Sequence, residues 1–291
     1  MRLLHFKQND KLKIGVQTSE GVLDVEKAAK ELNVVIPSSM QGLIEAGEEG
    51  KQTVESLIEK AKGNTALFLN EENVTYGPAA GSPEKIICVG LNYMPHIEES
   101  KMEIPTTPVL FSKFNNALAG HQQDVALPDV AKEYDYEAEL VIVIGKAADN
   151  VSEEDALEHV YGYSVGNDLS ARDLQMLTGQ WLVGKTLNHF APIGPHLVTA
   201  DEVDSSNLAI SCNVNGEERQ SSNTKNMIFT IPILISYISK HMTLQPGDVI
   251  FTGTPEGVIL GYPEEEQVWL KSGDEVEVMI ENVGVLKNKL V

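Results

Sequence analysis

The stretch from Glu137 to Gly145, Glu-Ala-Glu-Leu-Val-Ile-Val-Ile-Gly, constrains the fold more than any other. Its aliphatic and β-branched run reads as a buried strand. Strand side chains alternate, so Glu137 and Glu139 share a face with Val141 and Val143. Two anions are thereby committed to an apolar surface. At about 4 Å and an effective dielectric near 20 their mutual repulsion is roughly 4 kcal/mol before desolvation is counted. A shared proton, a Lys or Arg, or a divalent cation would each supply the compensation. The bland alternative is an exposed edge whose glutamates pair with lysines.

The 291 residues suffice for one large domain or for a large and a small one. A formal charge of -21 argues against generic affinity for nucleic acid or an anionic membrane, since both need clustered Lys and Arg. Cys88 and Cys212 are isolated, which suits buried thiols in a reducing compartment better than a disulfide framework. The N-terminal Met-Arg-Leu-Leu-His-Phe-Lys is charged too early for a secretory signal. The most apolar later stretch, residues 229–238, is broken by Pro232 and is too short to span a bilayer. The expectation is a cytoplasmic protein without nucleic-acid or membrane partners.

Residues 1–80 read as short strands at 3–6 and 13–18 followed by helices at 24–32 and 53–61. The breaker-rich run at 77–83 then reads as a linker, giving a small N-terminal α+β domain over 1–80 and a larger domain over 81–291. In the latter, strands are expected at 85–90, 109–114, 139–144, 161–165, 196–199, 208–214, 248–251 and 275–280. Helices are expected at 92–104, 153–159, 169–177 and 227–239. Helices this sparse do not make a repeated βαβ pattern. The fold class is therefore mixed α/β and β-rich, not a doubly wound parallel sheet.

If a hard cation compensates Glu137 and Glu139, Asp168 is the leading third ligand, because Gly166-Asn-Asp168 breaks a strand where a carboxylate can turn toward its neighbour. Three carboxylates without Cys or paired His suit Mg²⁺, Mn²⁺ or Ca²⁺ better than zinc. A helix N-cap is the other role for Asp168. His96 and Glu99 stand i, i+3 in a helix-like segment, where the carboxylate can orient the ring for acid–base work; a surface ion pair would have the same spacing. The polar, Pro-bounded residues 101–108 that follow would suit a mobile lid. Lys185, placed by strand alternation with Trp181 and Val183, is either a group that neutralises developing negative charge or a snorkelling lysine. Arg172, one of only three arginines, suggests bidentate binding, with Asp173 as an ordinary intrahelical partner. Gly162-Tyr-Ser-Val-Gly166 matches a nucleophile elbow and raises a second class of function, a serine hydrolase built on Ser164 with His241 and Asp201. The turn Phe251-Thr-Gly-Thr-Pro-Glu-Gly257 lacks a P-loop lysine, yet its Thr side chains and N–H groups can grip a carboxylate.

Taken in order, six motifs resemble the fumarylacetoacetate hydrolase superfamily, including its bacterial members of the 2-hydroxyhepta-2,4-diene-1,7-dioate isomerase type. They are Asn92-Tyr-x-x-His96-x-x-Glu99, Tyr136-Glu-Ala-Glu-Leu140, Gly166-Asn-Asp-Leu-Ser-Ala-Arg-Asp-x-Gln175, Gly184-Lys185, Ala191-Pro-Ile-Gly-Pro195 and Phe251-Thr-Gly-Thr-Pro-x-Gly-Val258. The resemblance covers roughly residues 82–291, and it implies a β-roll catalytic domain, commonly assembled as a homodimer. By the same resemblance Glu137, Glu139 and Asp168 bind Mg²⁺ or Mn²⁺, with Ca²⁺ as a structural occupant. His96 and Glu99 form a lid dyad, Lys185 is catalytic, and Arg172, Gln175 and Thr254 contact substrate. Asn188 departs from the family's Asp three residues after the lysine. The implied activity is metal-dependent chemistry on a 2-oxo acid through an enolate: C–C hydrolysis of acylpyruvate or fumarylacetoacetate-type substrates, or decarboxylation of oxaloacetate. Isomerisation or hydration of unsaturated 2-oxo dioates in aromatic catabolism is the alternative.

Overall fold

In the computed structural model, which describes residues 1–9, 11–100 and 103–291, the acidic strand runs Ala138–Ile144 and all seven of its residues are buried. It lies inside a twelve-stranded mixed sheet. On one side it pairs antiparallel with Val160–Asn167, which pairs with Ala191–Thr199. On the other it pairs with Val249–Phe251, which continues, parallel, to Ile86–Gly90 and then to Val109–Lys113. The sheet is covered on both faces, which explains the strand's unbroken apolar run. Leu140, Ile142 and Ile144 face one core, with Ile210, Cys212, Val276 and Val278 of a separate four-stranded antiparallel sheet. Val141 and Val143 face the other core, with Leu43, Ile44, Val54 and Leu57 from N-terminal helices. The fold is thus mixed and β-rich, as the strand-to-helix balance of the sequence indicates.

The N-terminal residues add strands to this same sheet. Arg2–Gln8 pairs with Ala191–Thr199 and is followed outward by Lys11–Thr18 and Gly21–Asp24. Helix Val25–Glu31 starts where the Asp24 carboxylate accepts the Lys27 N–H at 3.0 Å, an N-cap set by the sequence. The breaker-rich run at 77–83 packs against the sheet: Ala79 and Ala80 are fully buried, and the Ala79 N–H donates to the Ile193 carbonyl. Residues on either side of position 80 therefore share one sheet and the core that holds Val141 and Val143.

Three local expectations give way. The helix expected at 169–177 shrinks to Arg172–Gln175, because Ser170–Ala171 pair with Tyr134–Asp135 as strand. That at 153–159 becomes a 3₁₀ turn, Ala156–His159. Residues 181–187 do not alternate as a strand; Leu182–Lys185 form a helical turn that leaves Val183 exposed and buries Lys185. The hairpin strand Glu217–Asn223 escapes notice because its Glu-Glu-Arg-Gln-Ser-Ser-Asn sequence reads as loop. Of the segment 101–108, residues 101 and 102 lie outside the described residues. Among the described residues no helix is long and apolar enough to cross a membrane.

Strand Ala191–Thr199 also carries His196, which is buried with neither ring nitrogen hydrogen-bonded. Burial, reinforced by Arg2 and His121, lowers its pKa to about 4. The folded pKa lies below the unfolded value of about 6.5, so the unfolded chain takes the proton first and stability falls as pH drops from 6.5 toward 4. Replacing His196 with Leu should remove about 1–2 kcal/mol of the stability difference between pH 7 and pH 5. Urea midpoints of both proteins at the two pH values measure this, and an equal acid loss in the variant contradicts it.

Candidate active site

The site begins with strand register. Ala138 lies opposite Asn167 and Glu139 opposite Gly166, so the residue that follows the second strand, Asp168, turns in beside Glu137. Two hydrogen bonds fix that turn: the Asp168 N–H donates to the Glu137 carbonyl at 2.9 Å, and the Glu137 N–H donates to Asn167 Oδ1 at 3.0 Å. One carboxylate oxygen from each of Glu137, Glu139 and Asp168 lies within 4.8 Å of the others, and all three residues are buried.

Three buried cations answer this charge unevenly. Lys185 Nζ lies 2.6 Å from Glu137 Oε2 and 3.0 Å from Asp168 Oδ2. Arg172 Nη2 lies 2.8 Å from both Glu137 Oε1 and Asp135 Oδ2. Lys113 Nζ sits 2.5 Å from Asp168 Oδ1 and also donates to the Leu169 and Phe190 carbonyls. Glu139 makes no ion pair among the described residues and accepts one hydrogen bond, from the Gly253 N–H at 2.6 Å. Proton affinities follow this division. Burial alone would raise Glu137, but Lys185 and Arg172 outweigh it and hold its carboxyl well below the usual range. Burial pushes Glu139 far up, and Asp168 and Glu137 add to the rise. Burial works against the charge on Lys185, but Asp168 and Glu137 outweigh it and raise its pKa. In Lys113 burial wins over Asp168, and the pKa is lowered.

An all-oxygen set with one carboxylate left uncompensated fits a hard divalent cation, which would relieve the strain at Glu139. Of the three compensations the sequence leaves open, lysine and arginine serve Glu137 and Asp168, while Glu139, its proton affinity raised, is left to a proton or a cation.

Above the carboxylates lies a cavity of about 450 Å³, whose lining includes Glu137, Glu139, Arg172, Gln175, Lys185, Thr254, His96 and Glu99. His96 and Glu99 come from helix Met94–Ser100, with Nδ1 of the ring 2.8 Å from Glu99 Oε1. Arg172 Nη1 donates to Gln175 Oε1 at 2.9 Å, and Thr254 Oγ1 accepts from Gln220 Nε2 at 2.9 Å. Phe111 and Trp181 supply an apolar wall, packed edge to face at 5.4 Å, with Lys185 Nζ 5.0 Å from the centre of the Phe111 ring. All nine sequence-picked site residues thus gather around one chamber, Asp168 being covered beneath it.

Two further buried residues escape the sequence reading: Lys113, and Asp135, whose carboxylate accepts from Arg172 Nε and from the Ile259 and Leu260 N–H groups. A lone charged residue at the end of a mostly apolar strand is the only signal for Lys113. The nucleophile-elbow alternative fails on geometry. Ser164 is fully buried and its hydroxyl donates to the His196 carbonyl, Asp201 pairs with Lys51, and His241 packs on Tyr237. Asn188 is exposed and accepts from Asn116, so it is not a partner of Lys185.

A buried acidic triad on the floor of a chamber lined by charged side chains, on a β-rich fold, has the make-up of an enzyme's active site. Residues 85–291 match the family model Fumarylacetoacetate (FAA) hydrolase C-terminal, and the chain belongs to the fumarylacetoacetate hydrolase family. It is 40% identical over 296 residues to the mitochondrial oxaloacetate tautomerase fahd2 of Xenopus laevis, covering 100% of this chain and 90% of that protein. Among solved structures it resembles fumarylacetoacetate hydrolase from Exiguobacterium antarcticum (33% identity, TM-score 0.79, 100% of this chain and 99% of that one). It also resembles fumarylpyruvate hydrolase from Pseudomonas aeruginosa, solved with Mn²⁺ and pyruvate (35% identity, TM-score 0.66, 75% and 91%).

Removing the Lys113 charge leaves buried Asp168 with Lys185 alone and takes the donor from the Leu169 and Phe190 carbonyls. Lys113→Met should therefore lower unfolding stability by about 3–5 kcal/mol, read from denaturant melts at pH 7. A loss below about 1 kcal/mol would mean that Asp168 does not depend on this lysine.

Proposed function

We propose that this enzyme moves a proton within a small 2-oxo acid of the oxaloacetate type, interconverting its keto and enol forms with Mg²⁺ or Mn²⁺ bound. The observation that carries the reading is the His96–Glu99 pair, held at 2.8 Å on the wall of the chamber whose floor is the acidic triad. Full-length similarity to an oxaloacetate tautomerase supports the same choice.

Glu137, Glu139 and Asp168 would hold the divalent cation, which would supply Lewis-acid polarisation of the bound 2-oxo acid. The protein groups do the rest. Glu99 takes the Nδ1 side of His96, which leaves Nε2 free to accept a proton from the substrate carbon next to the carbonyl. Lys185, kept charged by its buried carboxylate neighbours, faces the oxygen on which negative charge develops. Arg172 and Gln175 bind a substrate carboxylate, and Thr254, anchored by Gln220, closes that side. Trp181 and Phe111 exclude water from the apolar wall.

Hydrolysis of acylpyruvates uses the same dyad to activate water, whereas decarboxylation of oxaloacetate needs no base at His96. His96→Ala should therefore lose tautomerisation by about 10²–10⁴-fold while keeping most of any decarboxylation. Ultraviolet absorbance of the enol and release of CO₂ separate the two, tested on oxaloacetate, acylpyruvates and unsaturated 2-oxo dioates with each metal. Loss of both rates together, or of neither, would sink the assignment of His96.

The metal requirement has its own readout. Glu139→Gln is a near-isosteric neutral replacement for a carboxyl that burial, Asp168 and Glu137 already drive toward its protonated form, so the metal-free protein should melt at about the same temperature. Its gain in Tm on adding Mn²⁺ should disappear. An unchanged gain would show that Glu139 is no ligand.

A further inference from the structure

We propose that Gly261 is a positioning residue of the reaction, because its missing side chain is the seat in which the Glu99 carboxylate lies. This rests on the reading of His96 and Glu99 as the proton-transfer pair. Glu99 uses both oxygens: Oε1 takes the His96 ring, and Oε2 accepts the Gly257 N–H at 2.9 Å. One carboxylate thus orients the imidazole and fastens helix Met94–Ser100 to the loop that follows Thr254.

A Cβ at Gly261 would come within 2.5 Å of Glu99 Cδ and 2.7 Å of its Oε2. Either the loop or the glutamate must then move, and the loop is the stiffer of the two. The Ile259 and Leu260 N–H groups donate to buried Asp135, and the Tyr136 hydroxyl donates to the Gly257 carbonyl. Gly257 itself has φ +96°, and a Cβ there would meet the Arg219 carbonyl at 2.1 Å, so its backbone is held in a shape only glycine takes easily. Glu99, by contrast, is the free end of a long, partly exposed side chain. A methyl at position 261 therefore expels Glu99 and leaves the loop in place. His96 loses its orienting partner, and Gly257 loses its acceptor.

The test uses the full-length enzyme with Mn²⁺ and oxaloacetate, in the variants Gly261→Ala, Glu99→Ala and both together. Gly261→Ala should lower kcat by about 10–100-fold, with KM within about twofold. Its Mn²⁺ affinity should match the parent, its Tm should match that of Glu99→Ala, and hydrogen exchange at the Gly257 amide should quicken. In the double variant there is no carboxylate to displace, so its kcat should equal that of Glu99→Ala alone. Unchanged exchange at Gly257 in Gly261→Ala overturns the proposal, as does a further loss in the double variant. Full kcat in Gly261→Ala beside an impaired Glu99→Ala also overturns it. Full kcat in Glu99→Ala would instead overturn the reading of the pair as catalytic. If Gly261→Ala fails to accumulate, the double variant, which has no clash, still decides by its kcat relative to Glu99→Ala.

Discussion

Four buried carboxylates, Asp135 and the acidic triad, are matched by three buried cations, and this imbalance organises the molecule around it. Lys185 is shared between Glu137 and Asp168, and Lys113 is spent on Asp168. Arg172 is divided between Glu137 and Asp135. Glu139 is left with one backbone N–H. Desolvated charges of this kind persist only where the surrounding fold fixes every partner. Here strands fix Glu139, Lys113 and the residues flanking Asp168, while two short helical turns bring in Arg172 and Lys185.

The acidic strand was readable because its period of two is unmistakable beside an aliphatic run, and alternation alone puts both glutamates on one face. Asp168 was readable because a strand visibly stops there. Strand alternation places Lys185 beside the right neighbours for the wrong local reason. Its turn is helical, and it fits because Gly184 lets that turn approach the Arg172–Gln175 turn: a Cβ on Gly184 would lie 2.4 Å from the Gln175 nitrogen. Lys113 and Asp135 needed knowledge of which strand lies beside which. A lysine ending an apolar strand looks like one reaching for solvent, and only the chain crossing above it shows otherwise. The polar hairpin Glu217–Asn223 was missed for a similar reason, since its Gln220 is buried by cross-strand packing that composition does not report.

The N-terminal strands extend the sheet that carries the site, at the far side from Ile86–Gly90 and Val109–Lys113. Their helices cover the face that holds Val141 and Val143. That cover is what makes the acidic strand's surroundings dry on both sides, and a dry setting strengthens every interaction among the charges at its end.

Asp135 ties two parts of the chamber to one carboxylate, holding Arg172 on one side and the Ile259 and Leu260 amides on the other. Floor and roof are therefore not independent modules. Remodelling substrate selectivity through the side chains of Tyr262 or Glu264 leaves this tether intact, whereas Gln267 donates to the Leu260 and Tyr262 carbonyls and belongs to it. Grafting a loop of different backbone across 259–260 would release the arginine as well, so a change aimed at the roof would surface as lost grip at the floor.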